Sequence, residues 1–184
     1  MRVITGSARG TRLLTLSGKE IRPTTEKVKE AVFSSIQFEL ENANILDLFA
    51  GSGQMGIEAL SRGALSAVFC DNSKEAFEII NKNLESAKLK DKAKVLKTDF
   101  SSLLNVTGEK FDICFLDPPY YKGYYETALN ALPKIMKPYG KVICEHPKDV
   151  ELKDSYGKLK KQKDYRFSNI IVSKYCLEEG ENEN

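Results

Sequence analysis

The sequence predicts an α/β fold, a doubly wound and mostly parallel sheet with helices on both faces and an antiparallel hairpin at one edge. Three observations predict it. From about residue 44 short apolar runs alternate with segments of helical periodicity, joined by short connections. The first apolar run ends in a glycine-rich turn that opens a helix, LDLFAGSGQMGIEAL at 46–60. The last two strand-like segments follow one another with no helix between them, which only antiparallel pairing allows.

The first 43 residues stand apart from this alternation. Gly6 and Gly10 separate β-branched and leucine-containing runs, so RVITGSARGTRLLTL reads as an extended or hairpin element. IRPTTEKVKEAVFSSIQFEL then reads as a helix. Pro23 precedes its start, Thr24 or Thr25 can cap it, and Val28, Val32, Ile36 and Leu40 form one apolar stripe. Lys27, Lys29 and Glu30 are expected on its outward face.

Seven strands are expected after that. NILDLF (44–49) is a buried strand, and Gln54–Arg62 a helix closed by Gly63. SAVFCD (66–71) is the second strand. Ser73 is a candidate N-cap for a helix whose apolar positions are Ala76, Ile79, Ile80, Leu84 and Ala87. AKVLKTD (93–99) and FDICFLD (111–117) are the third and fourth strands, with a short helix or turn near 100–105. Residues 123–136 look helical, with Pro133 expected to kink or end the helix. YGKVICEH (139–146) is the fifth strand, and 156–165 and 167–176 form the closing hairpin.

Composition narrows the class. With 184 residues, 41% hydrophobic and 29% charged, the chain suits one well-buried domain. No apolar run approaches the ~20 residues that span a bilayer. The N-terminus lacks the apolar core of a secretory signal, so a cytoplasmic protein is expected. The four cysteines, Cys70, Cys114, Cys144 and Cys176, are far apart and each lies in a strand-like run. They are expected to be reduced core thiols, and with a single histidine no metal site is expected. Net charge is +2, but the tail 178–184 is acidic, while residues 1–30 and 153–166 each carry a local +4. Two basic stretches fit a polyanionic partner.

In open parallel sheets ligands bind at the carboxyl ends of the strands. The first four strands deliver Asp47, Asp71, Asp99 and Asp117 there. Gly51, Gly53 and Gly56 spell G-x-G-x-x-G, the written form of a dinucleotide fingerprint. Asp71 stands 20 residues after Gly51, where an acid accepts from ribose hydroxyls of NAD or S-adenosylmethionine alike. Asp47 discriminates. A buried carboxylate beside the loop suits an ammonium group and repels a pyrophosphate, which favours S-adenosylmethionine. The expected cofactor site is therefore Asp47, Phe49, Ala50, Gly51, Ser52, Gly53, Asp71, Asn72, Asp99 and Phe100, with Asp99 near the adenine amino group.

DPPY at 117–120 supplies the chemistry. The Asp117 carboxylate and Pro118 carbonyl can accept both hydrogens of an exocyclic amine, whose lone pair is otherwise delocalised into its ring. That orients the lone pair toward a methyl group and stabilises the charge that develops. Pro118 and Pro119 fix the backbone, and Tyr120 can stack on the base. Asp117, Pro118, Pro119 and Tyr120 form the expected catalytic set.

D-x-F-x-G-x-G followed by DPPY resembles the class I S-adenosylmethionine-dependent methyltransferases that modify exocyclic amino groups. ITGSARGTRL, IRPTTEKVKEAVF, LDLFAGSGQMGIEALSRGA and FLDPPY together resemble the RsmD family of bacterial 16S ribosomal RNA (guanine-N2)-methyltransferases. The resemblance covers residues 2–145. It implies the Rossmann-like, seven-stranded methyltransferase fold and a guanine of 16S RNA as target, in the small subunit or an assembly intermediate. It further implies that Arg9, Arg12, Arg22 and Thr24 sit near RNA or the mouth of the site. Ser7, Lys29, Ser34, Gln54, Met55 and Asp71 depart from the residues common in that family.

The resulting expectation is a monomeric enzyme with residues 1–43 as an RNA-binding extension, 44–177 as the methyltransferase domain and 178–184 as an acidic tail. It would pass a methyl group from S-adenosylmethionine to guanine N2, leaving S-adenosylhomocysteine, with no membrane and no metal involved. Adenine N6, a protein glutamine and a non-enzymatic RNA-binding role stand as alternatives.

Overall fold

The computed structural model describes residues 1–17 and 23–178. Strands β1 (Asn44–Leu48), β2 (Ser66–Asp71), β3 (Ala93–Lys97), β4 (Phe111–Leu116) and β5 (Met136–Pro147) are parallel to one another. Strands β6 (Ser155–Tyr156), β7 (Leu159–Arg166) and β8 (Ile170–Leu177) add antiparallel pairs, giving the order 3-2-1-4-5-8-7-6. The predicted hairpin is β7–β8, turning at 167–169. The eighth strand, unforeseen, is the two-residue β6, too short to show a period.

Helices α1 (Pro23–Ser35), α2 (Gln54–Ser61) and α3 (Lys74–Ser86) cover one face, while α4 (Phe100–Val106) and α5 (Tyr124–Ala131) cover the other. The strands' two-residue period sorts the core. Ile45, Ile113, Phe115 and Ile143 join the first face, and Leu46, Leu48, Cys114, Leu116, Val142 and Cys144 the second. Ser73 caps α3 by accepting from the Ala76 N–H. Pro133 sits in a short 3-10 turn (Leu132–Lys134) after α5 ends, because it has no N–H to continue the ladder. All four cysteines are buried and free. Among the described residues no helix is long and apolar enough to cross a membrane.

The N-terminal segment forms the expected turn-back. Arg2 bridges Arg12, and the Gly10 N–H donates to the Val3 carbonyl at 2.9 Å. Its Val3, Ala8 and Leu13 join the core of the first face, as do Val28, Val32, Ile36 and Leu40. Helix α1 stops at Ser35, short of the predicted Leu40. The Ser35 hydroxyl donates to the Val32 carbonyl at 2.7 Å, a local bond that competes with the helical ladder.

Lys29 corrects the expectation of an outward face. It is only 2% exposed, with Nζ 3.4 Å from a carboxylate oxygen of Glu58 and donating to the Arg2 carbonyl at 2.8 Å. Burial pushes its pKa down and Glu58 opposes the shift. Glu58, fully buried on α2, also accepts from the Ile4 and Thr5 N–H groups and pairs with Arg62 at 2.8 Å. One carboxylate thus ties the N-terminal segment, α1 and α2 together. Glu58→Ala leaves a buried ammonium without its counter-charge, held by the Arg2 carbonyl alone, and takes the acceptor from the Ile4 and Thr5 N–H groups. It should cost about 3 kcal/mol or more in urea unfolding, and amides 4 and 5 should lose hydrogen-exchange protection.

Candidate active site

The strand order reverses between β1 and β4, so their carboxyl ends open a crevice rather than running into a crossover on the same side. The loop leaving β1 lines it with an unusual backbone. Phe49, Gly51 and Gly53 have φ of 66°, 57° and 76°. Glycine adopts this left-handed region freely, whereas for a phenylalanine it is strained. Aromatic packing holds Phe49 there: its ring centroid lies 4.7 Å from that of Phe100 and stacks on Tyr124 at 5.7 Å. The Gly51 N–H donates to Asp71 and the Gly53 N–H to the Ala50 carbonyl, at 2.9 and 2.7 Å.

The crevice is a cavity of about 870 Å³. Phe49, Ala50, Gly51, Ser52, Asp71, Asn72, Asp99, Phe100, Asp117, Pro118, Pro119 and Tyr120 all line it, so the two predicted sets meet in one place. Arg9 and Arg12 are exposed on the N-terminal turn and do not line it. Arg22 lies outside the described residues, as does the side chain of Thr24. Gly53 does not line the cavity either; a side chain there would crowd Ile80 and Phe69 at 3.2–3.3 Å.

Asp47 also sits behind the cavity wall. It shares strand parity with Ile45, so its side chain turns under α2, where it accepts from the Gly56 N–H at 2.9 Å. It is 4% exposed, and burial, helped by the charge of Asp71 and opposed by the Gly56 hydrogen bond, raises its pKa to about 7. Gly56 is tied to packing as well, since a Cβ would lie 2.3 Å from the Phe69 ring. The fourth carboxylate on the rim belongs instead to Glu145 on β5.

The remaining carboxylates are held by their own elements. Asp71 accepts from Gly51 with one oxygen and from the Ser73 N–H with the other. Asp99 accepts from the Ser101 hydroxyl and N–H, which holds its pKa below the usual range. Glu145 accepts from the Tyr120 hydroxyl at 2.9 Å. Cys70 forms part of the wall, and burial, then the charges of Asp71, Asp99 and Asp47, push its thiol up to about 12.

Sequence reasoning missed Glu145, Tyr124, Gln54 and the N-terminal residues Met1, Thr15 and Leu16, all of which line the cavity. Glu145 was within reach: asking what the fifth strand delivers at its carboxyl end points to it. Nothing local marks Thr15 or Leu16, which are brought in by folding of the N-terminal turn.

The sheet order, the glycine loop and the cavity at the switch point define a Rossmann-like class I methyltransferase fold. Over residues 1–176 the chain matches the family model described as "Conserved hypothetical protein 95". It is 35% identical to YlbH of Bacillus subtilis over 181 residues, covering 95% of this chain and 98% of that protein. It is 34% identical to ribosomal RNA small subunit methyltransferase D of Haemophilus influenzae, over 83% of this chain and 81% of the relative. The solved structure of yhhF from Escherichia coli superposes with a TM-score of 0.85 at 28% identity, covering 97% and 98% of the two chains. The chain belongs to this family, the RsmD family of methyltransferases.

The raised pKa of Asp47 has a defined pH signature. Below about pH 4 the carboxyl is protonated in both folded and unfolded chains and contributes nothing. Between about 4 and 7 the unfolded chain ionises while the folded one does not, so stability falls as pH rises; above 7 the penalty is constant. Asp47→Asn keeps an acceptor for Gly56 and removes this dependence. Its stability relative to wild type should climb from pH 4 to 7 and then level off, by up to about 4 kcal/mol, as read from urea unfolding at several pH values.

Proposed function

We propose that the protein transfers a methyl group from S-adenosylmethionine to the exocyclic N2 of a guanine in 16S ribosomal RNA. The observation that carries this reading is that Asp117–Tyr120 and the loop 49–52 line one cavity in a chain of this family. Relatives named ribosomal RNA small subunit methyltransferase D support ribosomal RNA as the substrate.

The residues present fit the cofactor. The Gln54 side-chain oxygen is buried without a hydrogen-bond partner among the described residues, an acceptor that an ammonium group would satisfy. Gly51 and Ser52 bring backbone close to the cavity, and each Asp71 oxygen keeps a lone pair for ribose hydroxyls. Phe49, Phe100 and Tyr124 offer apolar faces to an adenine, with Asn72 and Asp99 at its rim. Asp47 acts through the loop, by fixing α2 at Gly56. When bound, S-adenosylmethionine supplies a methyl group on a sulfonium and leaves as S-adenosylhomocysteine.

Asp117 and the Pro118 carbonyl accept the two N2 hydrogens and direct the nitrogen lone pair into the cavity. Tyr120 stacks on the guanine, which must be splayed out of its helix to reach so recessed a site. The nitrogen loses one proton to solvent after the carbon–nitrogen bond has formed. Residues 1–43 act as an RNA-contacting extension of the methyltransferase domain 44–177, with Arg9 and Arg12 on phosphates, and the protein works as a monomer in the cytoplasm on the small subunit or its precursor.

Labelled methyl transfer to small subunits lacking the modification, followed by nucleoside analysis and nuclease mapping, tests the reading. N2-methylguanosine at one position is the expected product; N6-methyladenosine or methylated protein overturns it. Asp117→Ala should bind S-adenosylmethionine with unchanged affinity while kcat falls by about 10²-fold or more. In Arg9→Ala/Arg12→Ala the slope of log affinity for the RNA against log salt should flatten by about 1 to 2, with cofactor affinity unmoved.

A further inference from the structure

One carboxylate at the site has no part in the chemistry described above. Glu145 lies at the carboxyl end of β5, one residue beyond Cys144, which pairs in register with Leu116 of β4. Asp117 and Glu145 are therefore the next residues in step on neighbouring strands, about 5 Å apart across the ladder. Both line the main cavity, and both line a cleft of about 40 Å³ that opens beside it. The backbone of Glu145 is fixed, since its carbonyl accepts from the Tyr125 hydroxyl at 3.2 Å. Its side chain is fixed too, through the Tyr120 hydroxyl at 2.9 Å. Two acceptors thus stand side by side beneath the tyrosine that would carry the base.

The Watson–Crick edge of guanine presents adjacent donors, N1–H and the N2 amine. Adenine places an unprotonated N1 beside its amine, as does 2-aminopurine. A second carboxylate next to the one holding the amine complements the first arrangement and sets an acceptor against a lone pair in the other two. We propose that Glu145 accepts a hydrogen bond from the N1–H of the target base and thereby selects guanine over aminopurines that lack that proton. The proposal rests on the guanine-N2 reading.

The test replaces the mapped guanine of the 16S RNA with 2-aminopurine, by ligation and subunit reconstitution. 2-Aminopurine keeps the N2 amine, loses N1–H, and fluoresces; the chain contains no tryptophan to obscure the signal. Wild type should favour guanine by about 50-fold or more in kcat/KM, because a carboxylate covered by the bound base and facing an acceptor loses its hydrogen bond and its solvent together. Glu145→Gln can turn its amide N–H toward the unprotonated N1. That variant should bring the ratio within about fivefold and tighten binding of the 2-aminopurine subunit, measured by fluorescence titration. Tyr120→Phe removes only the hydroxyl bonded to Glu145; it should slow both substrates and keep the wild-type ratio.

A wild-type ratio near one overturns the proposal without any variant. So does a Glu145→Gln protein that binds S-adenosylmethionine normally yet keeps the wild-type ratio. A Tyr120→Phe ratio that collapses as far as that of Glu145→Gln overturns it as well, reducing Glu145 to an anchor for the tyrosine. Each of these leaves N2-methylguanosine as the product. A product other than N2-methylguanosine in the mapping experiment removes the guanine reading itself, so the two failures are distinct.

Discussion

The hydrogen bond from the Gly56 N–H to Asp47 sets the geometry on which the rest of the site depends. It joins the end of β1 to the first turn of α2 and so fixes both ends of the intervening loop. Within that span the chain must reverse in five residues, and it does so by alternating left-handed positions at Phe49, Gly51 and Gly53. The strain at Phe49, of order 1–3 kcal/mol, is offset by the aromatic contacts that the same conformation creates. An acid buried beneath the loop, costly by itself, is thus tolerated because it defines where the cavity wall stands.

A second polar centre performs the same service one layer further out. Glu58 collects two backbone N–H groups from the N-terminal segment, an ammonium from α1 and a guanidinium from the residue that caps its own helix. The N-terminal segment is consequently part of the first-face core, sharing Val3, Ala8 and Leu13 with the sheet, and it carries Met1, Thr15 and Leu16 to the cavity. Arg9 and Arg12 ride on the exposed side of a turn whose inner side is locked.

Most of the architecture was legible in the sequence because it follows from periodicity. The five parallel strands, the Ser73 cap, the termination at Pro133 and the closing hairpin each have a local cause, and the glycine loop and DPPY occupy one cavity as strand-end placement requires. What escaped has long-range causes. Lys29 reads as a surface lysine in any helical projection; Glu58, 29 residues away, and the Arg2 carbonyl make its burial tolerable. Asp47 was correctly singled out as a buried strand-end acid, but its parity with Ile45 sends it under α2 rather than into the cavity. The two-residue β6 follows from the turn at Gly157, whose pairing with β7 no hydrophobic pattern could announce.

The wall residue Cys70 bears on a different question, that of self-damage. A thiolate is the strongest nucleophile among the side chains here, far better than an aromatic amine with a delocalised lone pair. An alkylating group held beside a thiolate would be consumed by the protein before any substrate arrived. Burial and three surrounding carboxylates keep the sulfur of Cys70 protonated up to about pH 12, five units above neutrality and therefore almost wholly as the unreactive thiol. The acidic rim that recommends this cavity for a cationic methyl donor also passivates the one thiol in its wall.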